Sequence, residues 1–266
     1  FSYRNDFLLC SVPDTINSAL GSLNRGSQPS IFAIGKGPSG AADPFALRRA
    51  CLSTIRIVLD RGYRFSLSRA VDAALEQLAP KLASVKRKAG EPAPREQVLD
   101  FFRGRLKALW TEQYRTDVVE AVLAAGFDDL VSAHQRLRAL ASLVGQADFA
   151  PLASAFKRVG NIVEKQGKDV GRGDVDPSRL TDDAERQLHA AFLQARTRVE
   201  ERIRADDFPG ALKEITGLKP PVDTFFDKVM VMAEDKALRE NRIRLLTEIG
   251  TLFNQVADFS KIQSEA

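Results

Sequence analysis

Apolar residues recur every three or four positions along 225–262, and this spacing constrains the fold more than any other feature of the sequence. It places them on one face of a helix with about 3.6 residues per turn. We predict two core-facing helices here, the first following Pro220 and Pro221, a pair that favours the start of a helix. The first apolar stripe consists of Phe225, Phe226, Val229, Met230 and Ala233, and the second of Leu238, Leu245, Leu246, Ile249, Leu252, Phe253 and Val256.

The same periodicity appears along most of the chain, whereas runs of alternating β-branched residues are scarce. Alternation with a period of two is typical of a half-buried strand, so its scarcity argues against a sheet. The sequence therefore predicts an all-α protein. Helices are expected at 44–60, 65–88, 95–110, 115–125, 127–143, 148–166, 181–205 and 207–217.

Local features refine these expectations. Asp43 is predicted to cap a helix that begins at Pro44, and Thr181 to cap the helix that follows it. Trp110 continues an apolar stripe, so we expect it in the core and not as a platform for a nucleobase. The Gly- and Asp-rich stretch 167–180 is interpreted as a linker, because its acidic residues lack the ligand spacing of a calcium loop.

Two arginines lie on or beside the second apolar stripe. Arg242 precedes Ile249 by seven residues and Arg239 precedes Leu246 by seven. A guanidinium group in such a place needs a carboxylate or carbonyl partner, because an unpaired buried charge is costly. The nearby candidates are Asp227, Glu234 and Asp235. We therefore predict that these arginines serve the fold more than they serve a ligand.

The stretch 148–166 is the best candidate for contact with RNA. Its buried stripe is predicted at Leu152, Phe156, Val159 and Val163. Off that stripe lie Lys157, Arg158, Asn161 and Lys165. Cationic groups bind phosphates and an amide reads a base edge, so this combination suits RNA. A solvated amphipathic helix is the alternative, and the pattern alone does not separate the two.

The charge of the chain gives weak guidance about its partners. Residues 1–110 hold 17 Lys and Arg against 9 Asp and Glu, whereas 111–266 hold 22 against 26, and the net charge is +4. RNA contact would therefore have to come from a local patch. No stretch reaches the roughly 18 to 20 apolar residues of a membrane span, and no signal peptide is recognisable. With Cys10 and Cys51 forming no disulfide framework, we expect a cytoplasmic protein without a membrane partner.

Catalytic and metal sites are not predicted. The stretch GKGPSG at 35–40 lacks the strand-turn-helix context of a dinucleotide loop and the Gly-Lys-Ser/Thr ending of a phosphate-binding loop, so a tight turn is favoured. His134 and His189 are isolated, and neither is followed by Asp, so no metal-binding His-Asp pair is present. The sequence shows no Cys/His or Ser/His arrangement for nucleophilic catalysis.

Two stretches resemble one enzyme family. They are FFDKVMVMAEDKALRENRIRLL at 225–246, with its ALR-x-x-R core at 237–242, and FAIGKGPSGAADPFALRRACLSTIRIVL at 32–59. Both are similar to the β subunit of bacterial glycyl-tRNA synthetase, and weaker similarity at 98–110 and 156–165 follows the family's order. The family's last domain is named for the motif Asp-Ala-Leu-Arg, which reads Lys-Ala-Leu-Arg here.

The resemblance implies a division of the chain and a role for it. Residues 1–146 would form a helical body containing the end of a His-Asp-type domain and connecting helices, and 147–266 an anticodon-binding helical bundle. The partners would be glycine tRNA and the α subunit, with no DNA. The α subunit would use ATP and Mg, so this chain would hold no cofactor and be inactive alone. The alternative is a non-enzymatic helical module that binds RNA or acts as a protein-protein scaffold.

Overall fold

The computed structural model describes residue 32, residue 43 and the ranges 46–82, 90–146, 149–166, 170 and 173–263. All regular structure in these ranges is helical and no strand occurs there, which confirms the predicted all-α fold. The chain divides into two compact units. One holds the described residues up to Gln113 together with Phe127–Val131, and the other holds Tyr114–Gly126 and the described residues from Ser132 onward.

The first unit contains helices α1 (Leu47–Arg61), α2 (Leu67–Leu82) and α3 (Pro94–Trp110), and α3 packs against the other two. The Asp43 carboxylate accepts hydrogen bonds from the backbone N–H groups of Leu47 and Arg48, at 2.8 and 3.1 Å. Asp43 therefore binds the first N–H groups of the helix, but the N-cap residue is Ala46 and not Asp43 as predicted, because the helix starts at Leu47. Pro44 lies outside the described residues. Trp110 is 3% exposed, which confirms its predicted place in the core.

The second unit contains the longer bundle. Its helices are α4 (Thr116–Ala125), α5 (Leu130–Val144, which begins in the first unit), α6 (Phe149–Gln166), α7 (Asp183–Arg204), α8 (Phe208–Thr216), α9 (Lys219–Lys228) and α10 (Lys236–Asn254), with short 3-10 turns at Pro177–Arg179 and Phe259–Lys261. Helix α10 packs against α6 and α7, while α8 and α9 pack against α7. The rings of Phe156, Phe253 and Phe259 meet between these elements, with centroids 4.3 to 5.9 Å apart.

One predicted helix is wrong in its second half. Helix α9 ends at Lys228, and the chain is extended at Val229, although the apolar spacing predicted helix as far as Ala233. In 229–232 the side chains alternate: Val229 and Val231 are buried, whereas Met230 and Met232 are exposed. Alternation is the pattern of extended backbone. The order Val-Met-Val-Met is compatible with this alternation, but the same residues also continue the helical spacing of the preceding stripe.

The start of α7 also differs from the prediction. Asp182, and not Thr181, caps the helix, since the Asp182 carboxylate accepts a hydrogen bond from the N–H of Ala184 at 2.7 Å. Glu185 completes a capping box by accepting the N–H of Asp182 at 2.8 Å. The Thr181 hydroxyl donates to the same oxygen of Glu185, Oε2, at 3.2 Å.

Two predictions fall outside the described residues, namely the tight turn at 35–40 and the last part of the predicted helix 65–88, from residue 83 onward. The predicted division between 1–146 and 147–266 stays a prediction about domains. The second compact unit contains Tyr114–Gly126 and residues 132–146 in addition to the described residues that follow.

Candidate nucleic-acid interface

Helix α6 presents its four predicted polar and basic residues to solvent. Lys157, Arg158, Asn161 and Lys165 are all exposed. On the opposite side, Leu152, Phe156 and Val159 are buried, and Val163 is half-buried near the C-terminal end of the helix. The apolar stripe thus anchors the helix and leaves a polar face with three cations and one amide, bordered by the exposed carboxylate of Glu164. Such a face can bind phosphates and offer hydrogen bonds to a base edge.

Arg158 differs from its neighbours because it is held by an aromatic ring. Its guanidinium carbon lies 4.2 Å from the centroid of the Phe226 ring, within cation–π distance. Phe226 belongs to α9, so the contact joins α6 to α9 and fixes the position of the cation. The sequence did not indicate this pairing, because the two residues are far apart along the chain.

Arg242 has the buried environment that the sequence predicted, but a different partner. Its Nε donates to Oε1 of Glu185 at 2.5 Å, and its Nη1 donates to the Met230 carbonyl oxygen at 2.9 Å. Arg242 is 9% exposed and Glu185 is fully buried. Neither Asp227, Glu234 nor Asp235 provides the carboxylate, so that part of the prediction is wrong. Glu185 lies in the first turn of α7, too far from Arg242 along the chain for the sequence to indicate the pairing.

The Glu185 carboxylate is ionised by its surroundings despite its burial. Burial raises the pKa of Glu185, but hydrogen bonds from Arg242 and from the Asp182 N–H, with the Arg242 charge, outweigh that effect. The net result is a pKa below the ordinary value for glutamate. The pair therefore stays charged at neutral pH and links the start of α7 to the middle of α10.

Arg239 has carbonyl partners. Its Nη1 donates to the Ala233 carbonyl at 2.7 Å and to the Glu234 carbonyl at 3.3 Å. Asp235 has another role, because its carboxylate caps α10 by accepting the N–H groups of Ala237 and Leu238. Asp227 is exposed on α9, and no hydrogen bond or ion pair joins it to either arginine among the residues that the structure describes. Its predicted membership of a structural motif with Arg239 and Arg242 stays a prediction.

The two arginines together hold the non-helical segment 229–233, in which the backbone bends at 231 and 232. Arg242 binds the carbonyl of Met230, and Arg239 binds that of Ala233. Backbone outside a helix lacks intrahelical partners for its carbonyl groups, so these bonds replace what the helix would have supplied. We call Met230 and Met232, which are 76% and 51% exposed on this segment, the methionine edge.

The stretch predicted as a linker is also tied to α10. Asn241 is 1% exposed, and its side-chain amide donates to the Asp176 carbonyl at 3.0 Å and accepts the Asp176 N–H at 2.8 Å. The amide thereby pairs with backbone as a neighbouring strand would. The sequence did not predict this role for Asn241, because its partner lies 65 residues earlier in the chain.

The histidines and acidic groups do not assemble into a metal site in the part of the chain that the structure describes. His134 is half-buried with its ring 6.5 Å from that of Tyr114, edge to face. Burial first, and the charge of Arg138 second, lower the pKa of His134. Burial likewise raises the pKa of the Cys51 thiol to about 12. No helix among the described residues is long and apolar enough to cross a membrane.

Comparisons with known proteins place these features in context. Residues 26–124 match the family model "Glycyl-tRNA synthetase beta subunit", and residues 152–263 match the model "DALR anticodon binding domain". The second match contains most of α6, the methionine edge, Arg239 and Arg242.

Curated relatives agree with both matches. The glycine–tRNA ligase β subunit of Myxococcus xanthus is 71% identical over 257 residues, which are 97% of this chain and 35% of that protein. Its namesakes from Anaeromyxobacter dehalogenans and Geobacter metallireducens are 49% and 48% identical over 97% and 87% of this chain, and 35% and 32% of their own length. The chain thus spans about a third of the length of the curated relatives it matches.

Proposed function

The chain belongs to the glycyl-tRNA synthetase β-subunit family, and from that premise we propose that it is the tRNA-binding part of such a subunit. The observation that carries the proposal is the match of residues 152–263 to an anticodon-binding domain, over the bundle that exposes the polar face of α6. In this role the chain supports the ATP-dependent attachment of glycine to its tRNA by recognising the tRNA.

The α6 face supplies the proposed contacts. Lys157 and Lys165 bind phosphates as mobile point charges, while Arg158, fixed on the Phe226 ring, offers a guanidinium plane of defined position. Asn161 presents both a donor and an acceptor, which suits the edge of an unpaired base. Phosphate contacts position the RNA and base contacts specify it, so the two classes of residue have separable effects.

Binding of glycine tRNA to the full-length subunit tests this proposal, with an unrelated tRNA as the competitor. Replacing Asn161 by Ala is expected to reduce the preference for the glycine anticodon and to leave binding of the unrelated tRNA unchanged, because the lost amide reads sequence and not phosphate. Gln146, exposed two residues after the end of α5, gives a control amide whose replacement by Ala should leave both affinities unchanged. Equal losses for both tRNAs in the Asn161 variant would contradict a reading role.

We further propose that the chemistry takes place on a separate α subunit, which uses ATP and Mg, and that the assembly works in the cytoplasm. The isolated chain is then expected to show no glycine-dependent exchange of pyrophosphate into ATP, because its sequence holds no recognisable nucleotide site. The α subunit measured in parallel serves as the positive control. Exchange by a chain free of contaminating synthetase would contradict the assignment.

The alternative, a helical scaffold that binds only protein, is not favoured. It leaves the anticodon-binding match unexplained. A scaffold would also show no tRNA-dependent protection of α6 from modification of its lysines, whereas the proposed function requires Lys157 and Lys165 to be protected.

A further inference from the structure

The methionine edge is an exposed apolar feature without a structural role of its own. Met230 and Met232 are the only methionines among the 266 residues, and both stand on one short segment with most of their surface open to solvent. The valines between and before them are buried and anchor the segment. Methionine is flexible and polarisable and makes favourable contacts with aromatic rings, so it suits a surface that receives a flat ligand.

The segment is also rigid enough to present these side chains in a fixed place. Arg242 holds the Met230 carbonyl and is itself locked by the buried Glu185, while Arg239 holds the Ala233 carbonyl. A surface arranged before its ligand arrives loses less conformational entropy on binding. These two arginines are thus positioning residues for the methionine edge.

The methionine edge lies in one cleft with groups that match a nucleobase. Arg158, stacked on Phe226, lines the cleft on the α6 side, and Asp227 and Lys228 line it at the end of α9. An unstacked base has apolar faces and polar edges, and its backbone carries a phosphate on each side. The apolar methionines fit the face, the carboxylate fits an amino-bearing edge, and the two cations fit the phosphates.

We propose that this cleft receives one unpaired cytosine of the tRNA anticodon, with the base against the methionine edge and its exocyclic amino group donating to Asp227. The proposal rests on the proposed function and names the base that this surface recognises. A carboxylate accepts a hydrogen bond from N4 of cytosine but repels O4 of uracil, which occupies the same place. Glycine codons begin with two guanines, so glycine anticodons offer cytosines for this contact.

A protein partner fits the cleft less well. Its exposed apolar surface amounts to two side chains, whereas stable protein interfaces bury about 800 Å² on each partner. The cations beside it, Arg158 and Lys228, complement a polyanion. Lys157 and Lys165 are exposed on the same helix as Arg158 and add positive charge to it.

Methionine oxidation tests the proposal without any substitution. Hydrogen peroxide transfers one oxygen atom to a methionine sulfur and leaves water, giving the sulfoxide. Trypsin cleaves after Lys228 and Lys236, so both methionines fall in the single peptide 229–236, whose added oxygen is measured by mass spectrometry. In the full-length subunit assembled with its α subunit, glycine tRNA is expected to slow this oxidation severalfold.

Variants supply an independent measurement. Replacing Met230 and Met232 by Ala together is expected to weaken glycine tRNA binding about tenfold, equivalent to about 1.4 kcal/mol, with an unchanged salt slope, because no phosphate contact is lost. Replacing both by Leu should retain most of the affinity. Leu193, 38% exposed on α7, is the matched control, and Leu193→Ala should bind as the parent does.

Asp227→Asn tests the assigned base. Discrimination between glycine tRNA and variants with an anticodon cytosine changed to uracil is expected to fall about tenfold, while the salt slope of binding stays the same.

Each outcome decides between the proposals. If tRNA binds but neither slows oxidation nor depends on the methionines, the cytosine platform is wrong and the tRNA-binding function stands. If the α subunit alone protects the peptide, the cleft is a protein interface and the platform is again wrong. Failure of the assembled enzyme to bind glycine tRNA would overturn the proposed function itself.

Discussion

Replacing Arg242 by Ala is expected to lower the free energy of unfolding by about 3 kcal/mol, because it leaves the Glu185 carboxylate buried without its cation. The same change frees the carbonyl of Met230 from its hydrogen bond, so the segment before α10 loses its support. Denaturant unfolding monitored by circular dichroism measures the effect. The loss is large compared with the 5 to 15 kcal/mol that stabilises a typical domain.

Lys236 provides the control for this substitution. It lies on the same helix, is exposed, and has its Nζ 3.8 Å from Oε1 of Glu240. An exposed pair of this kind is worth about 0 to 1 kcal/mol, so Lys236→Ala should unfold nearly as the parent does. Exchanging Glu185 and Arg242 together for Met and Leu should recover part of the stability, because it removes both buried charges but also the bonds to the Asp182 N–H and the Met230 carbonyl.

The pH dependence has a defined sign. The pKa of Glu185 is lower in the folded protein than in the unfolded chain, so the folded protein gains stability above the unfolded value of about 4.3. That contribution disappears as the pH falls through the lowered pKa. The stability difference between the parent and Arg242→Ala should therefore shrink below about pH 4.

An Arg242→Ala protein that unfolds as the parent does at neutral pH but has lost tRNA binding would assign Arg242 to the RNA instead.

The sequence predicted that Arg242 needs a partner, but it did not identify that partner. A guanidinium group on an apolar stripe requires an acceptor wherever it occurs, and that rule holds without knowledge of the fold. Glu185 is 57 positions away and also serves a helix cap, so only the packing of α7 on α10 brings the two together. Local reasoning therefore predicted the requirement and chose the wrong carboxylate.

A similar division applies to the candidate interface. The apolar stripe of α6 determined which of its side chains face solvent, because a helix of that length fixes the direction of every side chain. The stacking of Arg158 on Phe226 and the exposure of the methionine edge depend on how α9 ends. The sequence did not predict where α9 ends, because Val229, Met230 and Ala233 continue the helical spacing of the preceding apolar residues.

Removing the charges of Lys157 and Arg158 together is expected to weaken glycine tRNA binding and to flatten its salt dependence. Each phosphate contact contributes about 0.7 to the slope of log affinity against log salt on single-stranded RNA, so two contacts should lower it by about 1.4. Gln is the suitable replacement, since it keeps the helix propensity of both positions. Titrations of the full-length subunit at several salt concentrations measure the slope.

The structure adds one requirement to this measurement, because Arg158 also contributes to the fold. Losing its contact with Phe226 should cost about 0.5 to 1 kcal/mol of stability, so the variant must be shown to remain folded under the titration conditions. The control removes the same charge elsewhere: Arg198 and Arg204 on α7 are exposed and paired with Glu214 and Glu200. If both double variants lose the same slope, net charge and not the α6 face governs binding. An unchanged slope in the Lys157/Arg158 variant would make α6 a solvated helix face, because a phosphate contact cannot be lost without releasing fewer counterions.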